Sequence, residues 1–423
     1  MSSSKIDISK MIEEGQEIAS NQNELHTFRQ HNDLFISTKQ DETDGWRDPF
    51  QRDYARVLHS SSFRRLQGKM QLLGTQISDY YRTRLTHSLE ASQIGTTISR
   101  KIEHEGVKVN SALVAMACLA HDIGNPPFGH YAEKELNKLM KDDGGFEGNA
   151  QTLRILCKLE KKSSHYDGLN LTKAALYSVV KYGVYNTSDW QIEQQKFLYE
   201  ENKQNLEDNG KMKIQTIEAQ IMELADDIAY STHDLEDGLK SGILSIDAVL
   251  GQLETEELRR EFQELLQKAY KNCGETFGDA AFKSITSTLI DTFIKDIGVV
   301  ELTEKQRQKK GTSFKYGLGL RTKGKLMDGL KKAVRNILIE KPSVALYEIR
   351  GAQIVNRLFE LLNDDKYERL LPPEYRALIQ KGEPKKRVVC DYIAGMTDHY
   401  AEQLYKQYFG ELNLQIEAVS ESR

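Results

Sequence analysis

Ten consecutive residues, Ser111-Ala112-Leu113-Val114-Ala115-Met116-Ala117-Cys118-Leu119-Ala120, offer water almost nothing and run directly into His121-Asp122. A helix built from them is apolar on nearly every side, so it belongs inside the protein rather than on its surface. Asn110 or Ser111 can cap its start, and Gly124 followed by Pro126 and Pro127 stops it. The imidazole and carboxylate therefore arrive in the interior, at a helix C-terminus that opens into a loop. A buried carboxylate needs an opposite charge, a metal or a shifted protonation state, and neighbouring imidazoles point to a metal.

Two further helices carry matching groups. His87 opens one whose apolar residues Ala91, Ile94, Ile98 and Ile102 recur at spacings of three or four, which puts the imidazole on the core-facing side. The other carries Ile221, Leu224, Ala225, Ile228, Leu235 and Leu239 on its buried side, while Asp226, Tyr230 and Asp234 repeat every four residues along an adjacent stripe. Three polar groups in line mark the wall of a polar cavity. Each has a plainer reading. A lone His on an apolar face is more often a hydrogen-bonded core residue than a ligand. His-Asp pairs are common, and Asp227 gives the helix a second carboxylate to place at the surface. The residues alone leave both readings open.

The wider pattern is more specific. It includes Asp53-Tyr54-Ala55-Arg56-Val57-Leu58-His59-Ser60-Ser61-Ser62-Phe63-Arg64-Arg65-Leu66-Gln67-Gly68-Lys69-Met70-Gln71 and Arg82-Thr83-Arg84-Leu85-Thr86-His87-Ser88-Leu89-Glu90. It continues through His121-Asp122-Ile123-Gly124-Asn125-Pro126-Pro127-Phe128-Gly129-His130, Gly145-Phe146-Glu147-Gly148-Asn149-Ala150-Gln151-Thr152, Ala225-Asp226-Asp227-Ile228-Ala229-Tyr230 and Asp391-Tyr392-Ile393-Ala394-Gly395-Met396-Thr397-Asp398. In that order, over 46–398, the chain resembles the HD-domain metal phosphohydrolases, and within them the deoxyguanosine triphosphate triphosphohydrolase-like branch of deoxynucleotide triphosphohydrolases.

The resemblance implies an all-α fold, an HD-type helical core with additional C-terminal helices. It also implies hydrolysis of deoxynucleoside triphosphates, dGTP or dNTPs generally, to deoxynucleoside and inorganic triphosphate by attack at the α-phosphorus. Carried over by motif, the ligands of a divalent metal (Mg, Mn or another transition metal) are His87, His121, Asp122 and Asp226. Asp226 is preferred to Asp227 because the family's ligand is the first Asp after Leu-Ala. His130 is the acid/base residue and Glu133 orients it, and two residues three apart do share a face if a helix starts near Phe128. Gln71 and Asp234 match contacts to the sugar 3′-hydroxyl, Tyr230 a residue that packs on the sugar, and Arg84 a phosphate-binding arginine. Lys181 and Lys196 match lysines near the triphosphate. Three departures touch loop geometry and the proton-transfer network. Asn125 and Gly148 stand where some relatives carry His, and Lys181-Tyr182-Gly183 replaces Lys-Tyr-Pro.

The chemistry explains why such parts occur together. A cation offsets the repulsion between a hydroxide and a polyanion, and it lowers the pKa of bound water from about 15.7 toward about 7. The 5′-oxygen is a poor leaving group, and a positioned His contributes on the order of 100-fold to 10,000-fold. Arg holds phosphate oxygens with a planar fork, and Lys does so as a point charge. A packed Tyr230 leaves no room for a 2′-hydroxyl.

Composition bounds the remaining classes. A formal net charge of −5 gives no chain-wide attraction to nucleic acid, and 29% charged residues with 7 Pro suit a water-soluble helical protein. Cys118, Cys157, Cys273 and Cys390 lack CxxC spacing, which argues against a disulfide framework or zinc ribbon, and Cys118 reads as core. The N-terminus has no apolar leader and the apolar run at 112–120 is too short to cross a bilayer, so a cytoplasmic location without membrane contact is expected. The organisation reads as an N-terminal arm (1–45), a catalytic helical core (46–250) and a C-terminal helical region packed on it (251–423), with turns at 142–145 and 208–211. The segment 304–325 reads as an exposed loop, with basic residues continuing through Lys331, Lys332 and Arg335. Such a run is more often solvated surface than a site for an allosteric dNTP, a neighbouring subunit or single-stranded nucleic acid. The motif 391–398 reads as a helix packed on the core, with Tyr392 either packing or lining a base pocket. The family implies a homo-oligomer. Two rivals stand beside this reading: another HD-type reaction (nucleoside monophosphatase or cyclic nucleotide phosphodiesterase), and a non-catalytic nucleic-acid-binding regulator on the same scaffold.

Overall fold

The computed structural model describes residues 48–71, 82–181, 215–304, 306–307 and 315–410. Helix α1 (Pro49–Leu58) starts at Asp48, whose side chain accepts the Phe50 and Gln51 amides, with proline in the first turn. The short α2 (Ser61–Arg65) follows, capped by Ser60. The chain then reaches an isolated antiparallel bridge between Met70 and Thr83. Thr83 starts α3 (Arg84–His104) through a reciprocal capping box with Thr86, so His87 lies one turn inside this helix rather than at its opening. Asn110 caps α4 (Ser111–Ala120), and His121 is its C-cap residue. Next come α5 (His130–Leu139) and α6 (Gly148–Arg154), which runs into a π-helical turn at Ile155–Leu159, and then α7 (Lys173–Ser178). The long α8 (Ile217–Lys240) begins at the Thr216 cap.

Helices α3, α4 and α8 pack on one another at the centre. Leu113, Val114, Met116, Leu119, Ile94, Ile98 and Ile228 are all buried there, and each large apolar side chain removed from water contributes about 1.5–3 kcal/mol. Gly95 sets how close the three backbones come. A Cβ at that position would lie 2.9 Å from Cys118 Sγ, 3.0 Å from Val114 Cγ1 and 3.5 Å from Ala225 Cβ. This three-way contact brings His87, His121 and Asp226 to one end of the bundle.

Beyond α8 lie α9 (Ile246–Gln252), α10 (Glu256–Cys273) and α11 (Asp279–Asp296). The segment expected to be a loop at 304–325 holds regular structure from Tyr316 onward. Strand β1 (Ile297–Glu301) pairs antiparallel with β2 (Tyr316–Leu320), and α12 (Gly324–Ile339) already begins at Gly324. The hairpin packs Ile297 and Leu318 onto the main core and Gln220 Oε1 accepts the Leu318 amide, so the ribbon is an accessory to an otherwise helical fold.

Helix α13 (Pro342–Asn363), α14 (Pro373–Gln380), α15 (Lys385–Ala394) and α16 (Asp398–Phe409) complete the described chain. They form a second apolar cluster with α5. Phe128, Ala132 and Leu136 pack there with Ile354, Leu358 and Ile393. Tyr392 belongs to this cluster, its ring against Tyr375 and its hydroxyl 2.9 Å from that of Tyr400. The two clusters are joined by a buried ion pair. Asp391 of α15 accepts from Arg154 Nε and Nη2 (2.7 Å), and Gln151 adds a further bond. Among the described residues no helix is long and apolar enough to cross a membrane.

Asp391 is fully buried in side chain and Arg154 is 3% exposed. Removing the guanidinium leaves an uncompensated carboxylate, which costs about 3–5 kcal/mol. Arg154→Ala should therefore lower stability by that amount in urea unfolding, and a change below about 1 kcal/mol would contradict the role given to the pair.

Candidate active site

One nitrogen from His87, one from His121 and one Asp226 oxygen lie within 4.8 Å of one another, in positions buried or nearly so. The His87 and His121 rings are 5.5 Å apart at 57°, and His87 Nε2 stands 3.0 Å from Asp226 Oδ1. The backbone fixes which nitrogen of His121 faces the cluster. Its Nδ1 lies 2.7 Å from the Cys118 carbonyl, which can only accept, so Nδ1 carries the proton and Nε2 presents a lone pair in the neutral ring.

That Nε2 makes no hydrogen bond, although it is buried. Its nearest charged neighbours are Asp226 Oδ1 at 3.4 Å and Asp122 Oδ1 at 3.5 Å. Asp226 Oδ1 has His87 Nε2 beside it and Asp122 Oδ1 accepts from Asn125, so His121 Nε2 is the acceptor left open, and a proton or a metal beside the two carboxylates would fill it. Two imidazoles and carboxylate oxygens form a donor set that suits a divalent ion such as Mn, Fe or Zn, so the residues present fit a metal.

Asp122, the fourth expected ligand, is not in the group whose ligand atoms all lie within 4.8 Å of one another, and stands beside it with Oδ1 3.5 Å from His121 Nε2. Arg84 Nη1 binds its Oδ2 at 2.8 Å, and Asn125 Nδ2 binds its Oδ1 at 2.5 Å. Burial opposes ionisation, but Arg84, His121 and His87 outweigh it and hold the Asp122 carboxyl well below its ordinary range. Asp226 is likewise ionised against burial, first by Lys181, whose Nζ is 2.6 Å from Oδ2, and then by the two imidazoles. Lys181, expected near a triphosphate, thus sits on a candidate metal ligand.

His130 opens α5 with its Nδ1 3.0 Å from Glu133 Oε2, while Glu133 Oε1 accepts the Gly148 amide at 2.9 Å. The expected pairing is present, and it leaves Nε2 for a substrate. His130 is 60% exposed in side chain, against 1% and 2% for His87 and His121. The two loop departures prove to be linked. A Cβ on Gly148 would fall 2.9 Å from Asn125 Oδ1, and it is Asn125 that holds Asp122.

Among the described residues several buried polar atoms lack hydrogen-bond partners, Gln71 Oε1, Arg84 Nε and Asp234 Oδ2 among them. These three belong to residues expected to bind substrate. Burial, with Asp237 beside it, pushes the Asp234 carboxyl well above its ordinary range, and burial with Asp234 nearby raises Tyr230. Behind them Arg82 binds Glu90, Glu236 and Asp237, a network that single motifs do not signal. Lys196 lies outside the described residues.

Known proteins match this arrangement. The HD domain model covers residues 84–231, which hold all four candidate ligands, and the phosphohydrolase-associated domain covers 321–407. The fold and site thus define an HD-domain protein of the phosphohydrolase class. Among curated relatives, a deoxyguanosinetriphosphate triphosphohydrolase-like protein 2 of Vibrio cholerae is 42% identical over 385 residues, spanning 86% of this chain and 89% of that one. Triphosphohydrolase-like proteins of Shewanella sediminis (36% identity, 86% and 92% coverage) and Aliivibrio fischeri (35%, 86% and 93%) also align. The chain belongs to this deoxyguanosinetriphosphate triphosphohydrolase-like family.

Without a metal, burial lowers the basicity of His121, but the carboxylates of Asp122 and Asp226 outweigh it and raise its pKa to about 8. Below that pH the ring is protonated and a metal must displace the proton. Apparent Mn²⁺ affinity, read from free Mn²⁺ by EPR, should fall about tenfold per pH unit below this value and level off above it. A flat profile would remove His121 from the ligand set.

Proposed function

We propose that this protein hydrolyses deoxynucleoside triphosphates to deoxynucleoside and inorganic triphosphate, with a divalent metal held by His87, His121, Asp122 and Asp226. The observation that carries the reading is the buried, hydrogen-bond-free Nε2 of His121 facing two ionised carboxylates, with the cations Arg84 and Lys181 at their far side. When bound, the metal supplies Lewis-acid activation of water and of the α-phosphoryl oxygens.

The chain's own groups do the rest. Arg84 binds Asp122 through Nη1, and its buried Nε has no hydrogen bond among the described residues, so we assign it both to fixing Asp122 and to binding a phosphate oxygen. Lys181 adds a positive charge beside the same cluster, and we assign Lys196 to the triphosphate as well. His130, steadied through Nδ1 by Glu133, donates a proton to the departing 5′-oxygen from Nε2. Gln71 and Asp234 offer orphaned buried oxygens to the 3′-hydroxyl, a donor that would satisfy them. Tyr230, one turn from Asp226 and from Asp234 on α8, closes the sugar side against a 2′-hydroxyl.

Product analysis tests this reading. Each dNTP is incubated with Mg²⁺ or Mn²⁺, with and without a second dNTP, and resolved by HPLC. Inorganic triphosphate with free deoxynucleoside is the expected pair, whereas orthophosphate indicates a monophosphatase-type reaction. Equal rates on dGTP and GTP would refute the role of Tyr230. His121→Ala should abolish both turnover and metal occupancy. His130→Ala should keep the metal and lose about 100-fold or more in kcat, and loss of the metal in that variant would count against its assignment.

A further inference from the structure

Asp398 is the first residue of α16 and 5% exposed, and it is more than 250 residues from the loop it touches. Its Oδ1 accepts the Phe128 amide at 2.9 Å. Its Oδ2 accepts the Met70 amide at 2.9 Å and the Tyr347 hydroxyl at 3.0 Å. Phe128 lies two residues before His130, and Met70 directly precedes Gln71. One carboxylate thus ties together the chain segments that carry the expected proton donor and the expected sugar contact.

The Phe128 segment needs such a tie. Phe128 and Gly129 hold φ values of 61° and 70°, and a bulky residue in the left-handed region persists only where its surroundings impose it. Helix α5 has Gly129 as its N-cap and no side-chain cap hydrogen bond, so a capping side chain does not fix the backbone at its start. The restraints come from the C-terminal helices. Tyr347 packs edge-on against the Phe128 ring, and a Cβ on Gly351 would come within 2.3 Å of Phe128 Cβ. Lys69, fully buried, adds a second clamp by donating to the Asn125 carbonyl and, at 2.8 Å, to the Ala394 carbonyl.

We propose that Asp398 is a positioning residue for hydrolysis: from outside the HD core, its carboxylate fixes the His130 segment against the Gln71 segment. The proposal rests on the roles given above to His130 and Gln71. Asparagine at this position has one accepting oxygen and an NH₂ that cannot accept. In Asp398→Asn, either the Phe128 or the Met70 amide therefore loses its partner, while side-chain size is kept.

Hydrogen-exchange mass spectrometry and steady-state kinetics test this together. Asp296→Asn serves as the control, because the Asp296 carboxylate also accepts two backbone amides, those of Thr322 and Lys323, but ties no segment of the site. Asp398→Asn should bind Mn²⁺ like the wild type. Its peptides covering 126–130 or 69–71 should exchange at least about tenfold faster, and kcat for triphosphate release should fall about 30-fold to 100-fold. In a His130→Ala background the same change should cost less than about threefold, since residues that act as a unit are not additive. Tyr347→Phe, which keeps the carboxylate and both amides, should give a milder loss and replaces Asp398→Asn if that variant does not fold. Unchanged exchange in both segments, a full multiplicative loss on top of His130→Ala, or an equal kcat loss in the control would each overturn the proposal. If the wild type releases no triphosphate from any dNTP, the reaction assigned above fails, and the exchange measurement still decides whether Asp398 holds these segments.

Discussion

Negative charge gathered where water is scarce is the constraint on which this structure turns. Asp122 and Asp226 both sit beside His121 Nε2 in a buried centre. Like charges gathered in a poorly solvated centre repel one another more strongly than they would in water. The fold answers with Arg84 on one carboxylate and Lys181 on the other. Those cations satisfy the outer oxygens and leave the inner ones facing the imidazoles. The result is a centre already arranged for a positive ion, because its compensation is incomplete on one side only.

The helical bundle supplies rigidity for that arrangement, and the C-terminal helices supply its second wall. Gly95 lets α3, α4 and α8 approach to the distance at which their ends share one volume. The Arg154–Asp391 pair then anchors α15 to α6, and the second apolar cluster carries α5 with it. In a packed interior a displacement at one element is passed to its neighbours rather than absorbed. For this reason, residues beyond 340 help to hold in place the candidate site residues that lie before 240.

Much of the site was legible because its signals are local. Helix periodicity placed His87 inward, the apolar run placed His121 and Asp122 inside, and a four-residue stripe aligned Asp226, Tyr230 and Asp234. The His130–Glu133 pairing was implied by the family resemblance, and a spacing of three agreed with it. What escaped notice were partnerships between residues distant in sequence, such as Lys181 with Asp226 and Asp398 with Phe128. No periodicity encodes them. The β2 ribbon had a local signal, the alternation Tyr316, Leu318, Leu320, but it was hidden by the Lys, Arg and Gly on either side. Asn125 and Gly148 read as losses from a proton network, whereas in the fold they pack together and secure Asp122.

The contrast in exposure among the histidines has its own logic. His87 and His121 are dry and His130 is wet. A ligand nitrogen open to solvent would exchange its metal for protons and water, and low polarity strengthens the interaction that holds the ion. A proton donor has the opposite need, since it must be recharged from solvent after each turnover. A buried imidazole would have to be reloaded through other side chains, while one at the mouth meets water directly. Setting His130 at an exposed helix start, with Glu133 beside one nitrogen, would meet both demands within a single bundle under the roles proposed above. If His130 is the donor, it stands on a segment whose helix start has no side-chain cap, and the hydrogen bonds of Asp398 to the Phe128 and Met70 amides are the long-range restraint on it.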